Sequence, residues 1–580
     1  MKNLISIINE LSKLNEASDT QIQQIFRKCS KNGSGLYKKT DVLEAFNEML
    51  KNKSIKLNIK ETKNFLKNIQ MKQVRTISGV TPVTVLTKPF PCPGKCIFCP
   101  NDVRMPKSYL SDEPGAQRAT RNKFDPYAQT YNRLLAYKAI GHITDKVELI
   151  ILGGTWTSYP ESYQIWFVKR CFDAINDFDE DSTIFPVDSE KGMPFEDKDL
   201  EEIQGEIFNK SYNEIISKAL LPKRSDAQRE KSTWKELLSV QKVNETSITR
   251  CIGLVIETRP DEITEQEVVR IRKLGATKTQ IGFQSLNNKV LDKNKRGHNV
   301  QTTRNAVKLL RQAGFKIHAH WMPNLYGSTP KEDIKDYKKM FDDKDFRPDE
   351  LKIYPCSLIA SAELMQYYKK GLWKPYTPEA LSHVLKEVFK NTPAYCRITR
   401  MIRDIGSQDI VIGNKKTNYR QIVEAELKKE GFTPLEIRSR EIKNKEISLN
   451  DLHLDIVEYE TSCSNEFFLQ YVTEQNEIAG FLRLSIPTIT NFLYELKGCA
   501  IIREVHVYGI SVPIGEHKEG KAQHLGLGTK LIEEASKISR KNNFKSLAVI
   551  SSIGTREYYK KFGFKLNEGL YQIKSLEDIS

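Results

Sequence analysis

With 580 residues and 39% hydrophobic content, the chain is too long for one core and too apolar to be disordered, so two or more packed domains are expected. It has no run of about eighteen apolar residues, and its opening MKNLISIINELSKLNEASD carries acids where a signal peptide needs a clean apolar stretch; the cytosol is the expected compartment, with no membrane partner. The net charge of +16 is uneven: Lys51, Lys53, Lys56, Lys60, Lys63, Lys67, Lys72 and Arg75 stand against the single acid Glu61, which points to a polyanionic partner or to a lysine-loaded surface.

Residues 1–75 read as a small basic helical module, with Ile22, Ile25 and Phe26, then Val42, Leu43, Phe46, Met49 and Leu50 at helical spacing around a turn at Asn32-Gly33-Ser34-Gly35. From about 76 to 400 the pattern becomes short β-like runs separated by helices: Val147 to Leu152, Cys251 to Glu257, Thr279 to Phe283, Lys316 to Met322 and Glu350 to Tyr354. Strands alternating with helices predict an α/β fold built on a parallel sheet or barrel. A charged helical stretch at about 178–246 reads as an insertion on that barrel. A charged linker is expected over 401–450, followed by a second domain over 451–580 that is β-rich and then α/β.

Ten cysteines are too few for a disulfide scaffold, and three of them fall in the loop PFPCPGKCIFCPN. Cys92, Cys96 and Cys99 form C-x-x-x-C-x-x-C, three thiolates that can hold three irons of a 4Fe-4S cluster and leave the fourth iron open to the amino and carboxylate groups of S-adenosylmethionine (SAM). Zinc is the competing reading, but a structural zinc takes four ligands and no fourth Cys or His lies close by. The spacing resembles the radical SAM signature, and downstream strand ends supply the groups such a barrel needs. Gly153 and Gly154 resemble the glycine-rich segment that meets the SAM amino group, Glu257 offers a carboxylate to the SAM ribose, and Gln284, His318 and His320 follow on later strands. Taken singly, Glu257 reads as a structural ion pair and the two histidines as packed core residues; the ordered set is what argues for the site.

In the last domain Ile501 to Tyr508 alternates as a strand. Gln523-His524-Leu525-Gly526-Leu527-Gly528-Thr529-Lys530 then opens a helix whose free N–H groups suit a pyrophosphate. With the following strand and Tyr558-Tyr559-Lys560-Lys561-Phe562-Gly563-Phe564, this resembles a GNAT acetyltransferase domain and its coenzyme A motif. A degenerate GNAT fold used only for packing is the plainer alternative.

Several stretches over about 70–575 look directly like the Elongator catalytic subunit family: VRTISGVTPVTVLTKPFPCPGKCIFCP, DKVELIILGGT, CIGLVIETRPD, KRGHNV, LKIYPC, IREVHVYG and GTREYYKKFGF. The resemblance implies a radical SAM partial TIM-type barrel followed by a GNAT-like domain. It also implies cluster ligands at Cys92, Cys96 and Cys99, and acetyl-CoA contacts at Lys146, Glu504, Val505, His506, Val507, Gly526, Leu527, Gly528, Thr529, Lys530 and Tyr559. The implied partners are tRNA, engaged at its anticodon loop, and accessory subunits. Family members with a zinc motif carry it before the GNAT domain; this chain reads Pro434 to Ile442 there without a cysteine, so the zinc has lost its ligands, and the separate Cys356 and Cys396 read as buried thiols.

The implied reaction is tRNA wobble-uridine modification. A SAM-derived radical takes hydrogen from the acetyl methyl group, the carbon radical adds to carbon 5 of the uridine, and loss of an electron and a proton, with hydrolysis of the thioester, leaves 5-carboxymethyluridine. Lys352, Tyr354 and either Tyr558 or Tyr559 are candidates to position the acetyl group or donate protons. Two rivals remain open: a protein lysine acetyltransferase with a structural cluster and Glu504 as base, and a tRNA-binding scaffold without turnover.

Overall fold

The computed structural model describes residues 2–15, 17–29, 36–52, 54–69, 79–179, 211–220, 230–442, 447–508, 526–567 and 569–577. The turn at 32–35, Lys53, Lys72, Arg75, much of the 178–246 insertion and the string Gln523 to Leu525 lie outside these residues. No helix of the described residues is long and apolar enough to cross a membrane.

Four helices, Lys2–Lys13, Asp19–Lys28, Lys39–Lys51 and Ile59–Ile69, enclose a core of their own that includes Ile7, Leu11, Phe26, Phe46 and Phe65. Asn68 ties the first helix to the fourth: its amide donates to the carbonyls of Leu11 (2.9 Å) and Leu14 (2.7 Å), and its oxygen accepts from the Ala17 N–H (2.8 Å).

The central domain is a sheet of seven parallel strands in the order β1 (Thr81–Leu86), β2 (Lys146–Leu152), β3 (Arg250–Thr258), β4 (Lys278–Gln284), β5 (Lys316–Trp321), β6 (Glu350–Ile353), β8 (Arg397–Arg400). A short antiparallel pair, β7 (Leu358–Ile359) with β9 (Ile410–Ile412), lies apart from it. The sheet curls without β1 and β8 pairing, which makes it a partial barrel. Side chains alternate along each strand. Ile281, Phe283, Ile317, Ala319, Trp321, Leu351 and Ile353 point outward into the main core under the helices, while Gln280, Gln284, His318, His320, Glu350 and Lys352 line the concave side. The helices that return the chain are set by their caps: Thr264, Asn299, Thr329 and Thr377 each accept a backbone N–H of the following helix, and Pro330 and Pro378 occupy first-turn positions where no donor is lost.

Residues 401–450, expected as a linker, are packed instead. The helix Tyr419–Lys429 buries Val423 and Leu427, and Ile437 is buried beside it. The apolar positions 423 and 427 are one helical turn apart, and the density of lysine and glutamate around them masked that signal.

The second domain is a seven-stranded sheet in the order β10 (His453–Glu460), β11 (Ser464–Val472), β12 (Ile478–Pro487), β13 (Cys499–Val507), β14 (Ser546–Val549), β16 (Gln572–Ser575), β15 (Lys565–Leu566). Neighbours are antiparallel except β13 and β14, whose parallel pairing stops at Ile502 with Val549 while β13 runs on to Val507. β13 runs on past the end of β14, leaving a wedge beside the start of the helix Leu527–Lys541, whose Gly528 lies near Val507.

The two sheets share one continuous apolar core, in which Ile501, Ile550 and Ile553 join the residues under the barrel helices. A buried charge cluster joins them too. Arg503 donates to both oxygens of Asp349 (2.6 and 2.8 Å) and to Glu466 (2.9 Å), and the Arg311 and Arg483 guanidiniums lie 3.9 and 3.5 Å from the same Asp349 oxygen. Burial alone would raise the Asp349 carboxyl, but Arg503, Arg483 and Arg311 overcome it and hold the carboxyl well below its ordinary range.

Candidate active site

The concave side of the barrel encloses a cavity of about 830 Å³. Its upper rim is the loop after β1, where Cys92 and Cys96 are buried and Cys99 is half-buried, all as free thiols. Gly94 has to be glycine for a packing reason: a Cβ there would come within 2.2 Å of the Arg259 guanidinium. That guanidinium reaches the Cys96 sulfur at 3.9 Å and donates to the Arg296 carbonyl (2.6 Å), while Arg296 itself lies 3.5 Å from the same sulfur. A hydrogen bond from Cys99 pulls the Cys96 thiol pKa down, burial opposes it, and Arg296 and Arg259 add to the lowering. Cys92 lies 3.4 Å from the Thr155 hydroxyl.

The chemistry of this donor set fits a cluster better than a lone ion. Three thiols sit on one short loop, two guanidiniums favour thiolate at Cys96, and among the described residues no three His, Cys, Asp or Glu close around a single metal.

The strand ends place the other expected residues around that loop. Gly153 is required by the neighbouring strand end, since a Cβ would come within 2.1 Å of the Thr87 hydroxyl; Gly154 lines the cavity against the Lys107 backbone. Glu257 accepts from the Tyr109 hydroxyl (2.7 Å) and faces His320 Nδ1 at 3.7 Å. Gln284 ends β4 with φ of +64°, a left-handed conformation that costs a non-glycine residue energy, and its buried Oε1 has no protein partner. His320 Nε2 meets Gln280 Oε1 at 3.1 Å, and Lys352 Nζ donates to that same oxygen. Burial first, then the Lys352 charge, holds His320 neutral; burial likewise pulls Lys352 down to about 8, with Glu257 opposing. Tyr354 is pushed up to about 12 by burial, against the pull of Arg400 and Arg403. His318 is also held neutral by burial, with Nε2 2.8 Å from the Thr399 hydroxyl.

Lower in the barrel the cavity wall becomes a ladder of ion pairs. Lys278 bridges Glu148 (2.6 Å) and Glu350 (3.2 Å), and Lys316 bridges Glu350 (3.4 Å) and Glu504 of the second domain. Glu504 also accepts from Arg483 at 2.9 Å. Burial pushes the Glu504 carboxyl up, but Lys316 and Arg483 outweigh it and keep it ionised.

The residues expected to meet acetyl-CoA divide into two groups. Val507, Gly528 and Tyr558 meet at the wedge between β13 and β14: a Cβ on Gly528 would come within 2.5 Å of the Tyr558 hydroxyl and 4.0 Å of Val507. Gly526 opens the helix with φ of +68° and has no side chain to cap it, so among the described residues the first N–H groups, near Leu527, Gly528 and Thr529, have no N-cap side-chain partner; Lys530 lies in the same turn. Tyr559 is buried in the core beside Phe564 and Val505, whereas Tyr558 is 39% exposed. His506 stacks on Phe481 and Tyr508. Lys146 opens β2 in register with Arg250, the residue against which Gly554 of the second domain packs, but it does not line the cavity.

Arg259, Arg296, Arg400, Arg403, Tyr109 and Gln280 join the site without having been singled out in sequence. Arg259 and Arg296 lie within the ETRPD and KRGHNV strings, so the residues were visible in the sequence but the sulfur they face was not.

Two sequence profiles match the chain: the Radical SAM superfamily over residues 227–340 and the Radical_SAM C-terminal domain over 348–429. The chain is 35% identical to the tRNA uridine(34) acetyltransferase of Methanocaldococcus jannaschii, across 98% of its own length and 97% of that protein's. It is 32% identical to Elongator complex protein 3 of Homo sapiens, covering 89% and 87% of the two chains. The chain belongs to the Elongator protein 3 family. The solved structure of archaeal Methanocaldococcus infernus Elp3 with its residues 1–46 deleted superimposes with a TM-score of 0.67 at 33% identity, over 86% of this chain and all of that one. Family and fold thus agree with the radical SAM barrel and GNAT-like domain expected from the motifs.

Proposed function

We propose that this protein modifies the wobble uridine of tRNA, forming 5-carboxymethyluridine from acetyl-CoA by radical SAM chemistry. The observation that carries the reading is the cavity itself. The space runs from the three thiols, past Gln280, His320 and Lys352, to Glu350 and is lined by barrel residues; at its floor Lys316 ties Glu350 to Glu504 of the GNAT-like domain. A reaction that draws on both halves of the chain needs them held in fixed relation to each other, which this ion pair and the shared apolar core provide. The relatives' names, tRNA uridine(34) acetyltransferase and Elongator complex protein 3, support the substrate class.

Cys92, Cys96 and Cys99 would hold a 4Fe-4S cluster, and Gly154, Glu257 and Gln284, which line the same cavity, would hold SAM; together these groups would supply one-electron cleavage of SAM. The remaining roles belong to the chain. The barrel walls exclude water. Lys352 and Tyr354 hold the acyl oxygen and move a proton to it. Tyr558, over Gly528, holds the thioester sulfur in the wedge and donates a proton to the leaving thiolate. Tyr559, in the core, supports that ring.

Glu504 argues against the lysine acetyltransferase rival, because its pairing with Lys316 and Arg483 stabilises the carboxylate and makes it a weaker base toward a substrate amine. Cys96→Ser separates the readings. It should abolish SAM cleavage and uridine modification together; full activity in this variant would sink the radical mechanism.

A further inference from the structure

Helix Tyr212–Leu220 belongs to the inserted stretch to which the motifs assign no chemistry, yet it docks on the cysteine loop. Its start is fixed locally: Ser211 and Glu214 cap each other's N–H groups (2.6 and 3.4 Å), and Ile215 and Ile216 are buried, so the next residue after Tyr212 is held in a set direction. That residue, Asn213, clamps the backbone of Cys92 from both sides. Its oxygen accepts the Cys92 N–H at 2.9 Å, and its amide donates to the Cys92 carbonyl at 2.7 Å. Pro91 and Pro93 flank Cys92, so this N–H is the one backbone donor those three residues own. Tyr212 anchors the helix independently, through its hydroxyl to the Met105 carbonyl (2.8 Å) and its ring beneath Lys107 (4.9 Å).

We propose that Asn213 is a positioning residue for the metal-binding loop: it fixes the orientation of the Cys92 thiolate and diverts the Cys92 N–H away from sulfur. The inference rests on the reading of Cys92, Cys96 and Cys99 as cluster ligands. An amide is suited to the task because it alone offers an acceptor and a donor side by side, matching the N–H and C=O of a single residue. Partners at this distance from a metal commonly set its affinity by about 10-fold to 100-fold.

The test compares the full-length chain with Asn213→Leu, Asn213→Asp and Tyr212→Phe, each reconstituted anaerobically with iron and sulfide. Readouts are iron per chain, the rate of iron loss to a chelator, the paramagnetic resonance spectrum of the reduced cluster and the thermal midpoint. Asn213→Leu should lose iron about tenfold faster and shift the resonance spectrum, at an unchanged thermal midpoint. Asn213→Asp, which keeps the acceptor but sets an oxygen against the Cys92 carbonyl, should fall between Asn213→Leu and wild type. Tyr212→Phe, which loosens the helix without touching Cys92, should match wild type. Wild-type iron retention and spectrum in Asn213→Leu would overturn the proposal, as would equal loss in Asn213→Leu and Tyr212→Phe, which would reduce the helix to a shield. A wild-type chain that takes up no iron would overturn the cluster reading beneath it, a distinct failure.

Discussion

At the N-terminal ends of the barrel strands charges are paired with one another in a continuous run, whereas at the C-terminal ends separate ion pairs, Arg259 with Asp261 and Arg403 with Glu113, stand among charges that also meet sulfur, amides and tyrosine. Glu148, Lys278, Glu350, Lys316, Glu504 and Arg483 form an unbroken run of ion pairs, and Arg503 is enclosed by Asp349 and Glu466. At the other end Arg296, and Arg259 beside its partner Asp261, face a thiol, Lys352 and His320 share one amide oxygen, and Gln284 is strained with its carbonyl unsatisfied. Saturated charge ties the two sheets together; unsaturated charge and strain leave groups ready for something the protein itself does not supply.

The comparison breaks most readily at Asp349. Removing one partner from a buried pair leaves the others uncompensated, so Asp349→Ala should cost about 3–5 kcal/mol of stability, read by chemical unfolding. A loss below about 1 kcal/mol would mean that the junction is not held by this cluster.

Lys352→Met should do the opposite, leaving stability at neutral pH no lower than in wild type while cutting uridine modification about 100-fold. Burial lowers Lys352 from 10.5 to about 8 in the folded chain. Between about 8 and 10.5 the unfolded chain therefore binds more protons than the folded one, so this residue makes stability rise with pH across that window. Below about 8 the lysine is charged in both states and its cost to folding is constant. Unfolding measured from pH 7 to 10 should show that rise in wild type and lose this contribution in Lys352→Met. Equal slopes would contradict the assignment.

The paired tyrosines sharpen the contrast within the second domain. Tyr558→Phe should slow turnover of acetyl-CoA about tenfold without changing the melting point, and Tyr559→Phe should leave turnover near wild type. Reversal of that order would move the catalytic hydroxyl into the core. The smallest effect is expected at the N-terminal module. Changing Lys56, Lys60, Lys67 and Lys72 together to Gln should flatten the salt dependence of tRNA binding by about 0.7–0.9 log unit for each phosphate no longer neutralised, in a titration from low to moderate salt; an unchanged slope would remove the module from the interface.

The parts of this molecule that were legible in the sequence are short-range. The cysteine spacing spans eight residues, five of the seven barrel strands announce themselves as short β-like runs, and the glycine-rich helix start lies within one turn. What escaped is long-range: Cys96 meets Arg296 from 200 positions away, Cys92 meets Asn213 from 121, and Asp349 meets Arg503 from 154. Such meetings depend on which strand end lies beside which, and no local pattern encodes that. The same reasoning explains why Glu504 read as a free base, since its two cations arrive from other strands. It explains why Tyr558 and Tyr559 could not be told apart by sequence, since the helix start that separates their roles lies opposite them only in the fold.

The central claim, that one chain joins cluster chemistry to acetyl-CoA, is tested most directly by a single anaerobic reaction. Cluster-reconstituted protein would be mixed with SAM, dithionite, doubly carbon-13-labelled acetyl-CoA and tRNA, and the nucleosides analysed by mass spectrometry. The account predicts 5-carboxymethyluridine carrying both labelled carbons at the wobble position. Intact SAM and unlabelled uridine, from protein shown to hold its cluster, would contradict it.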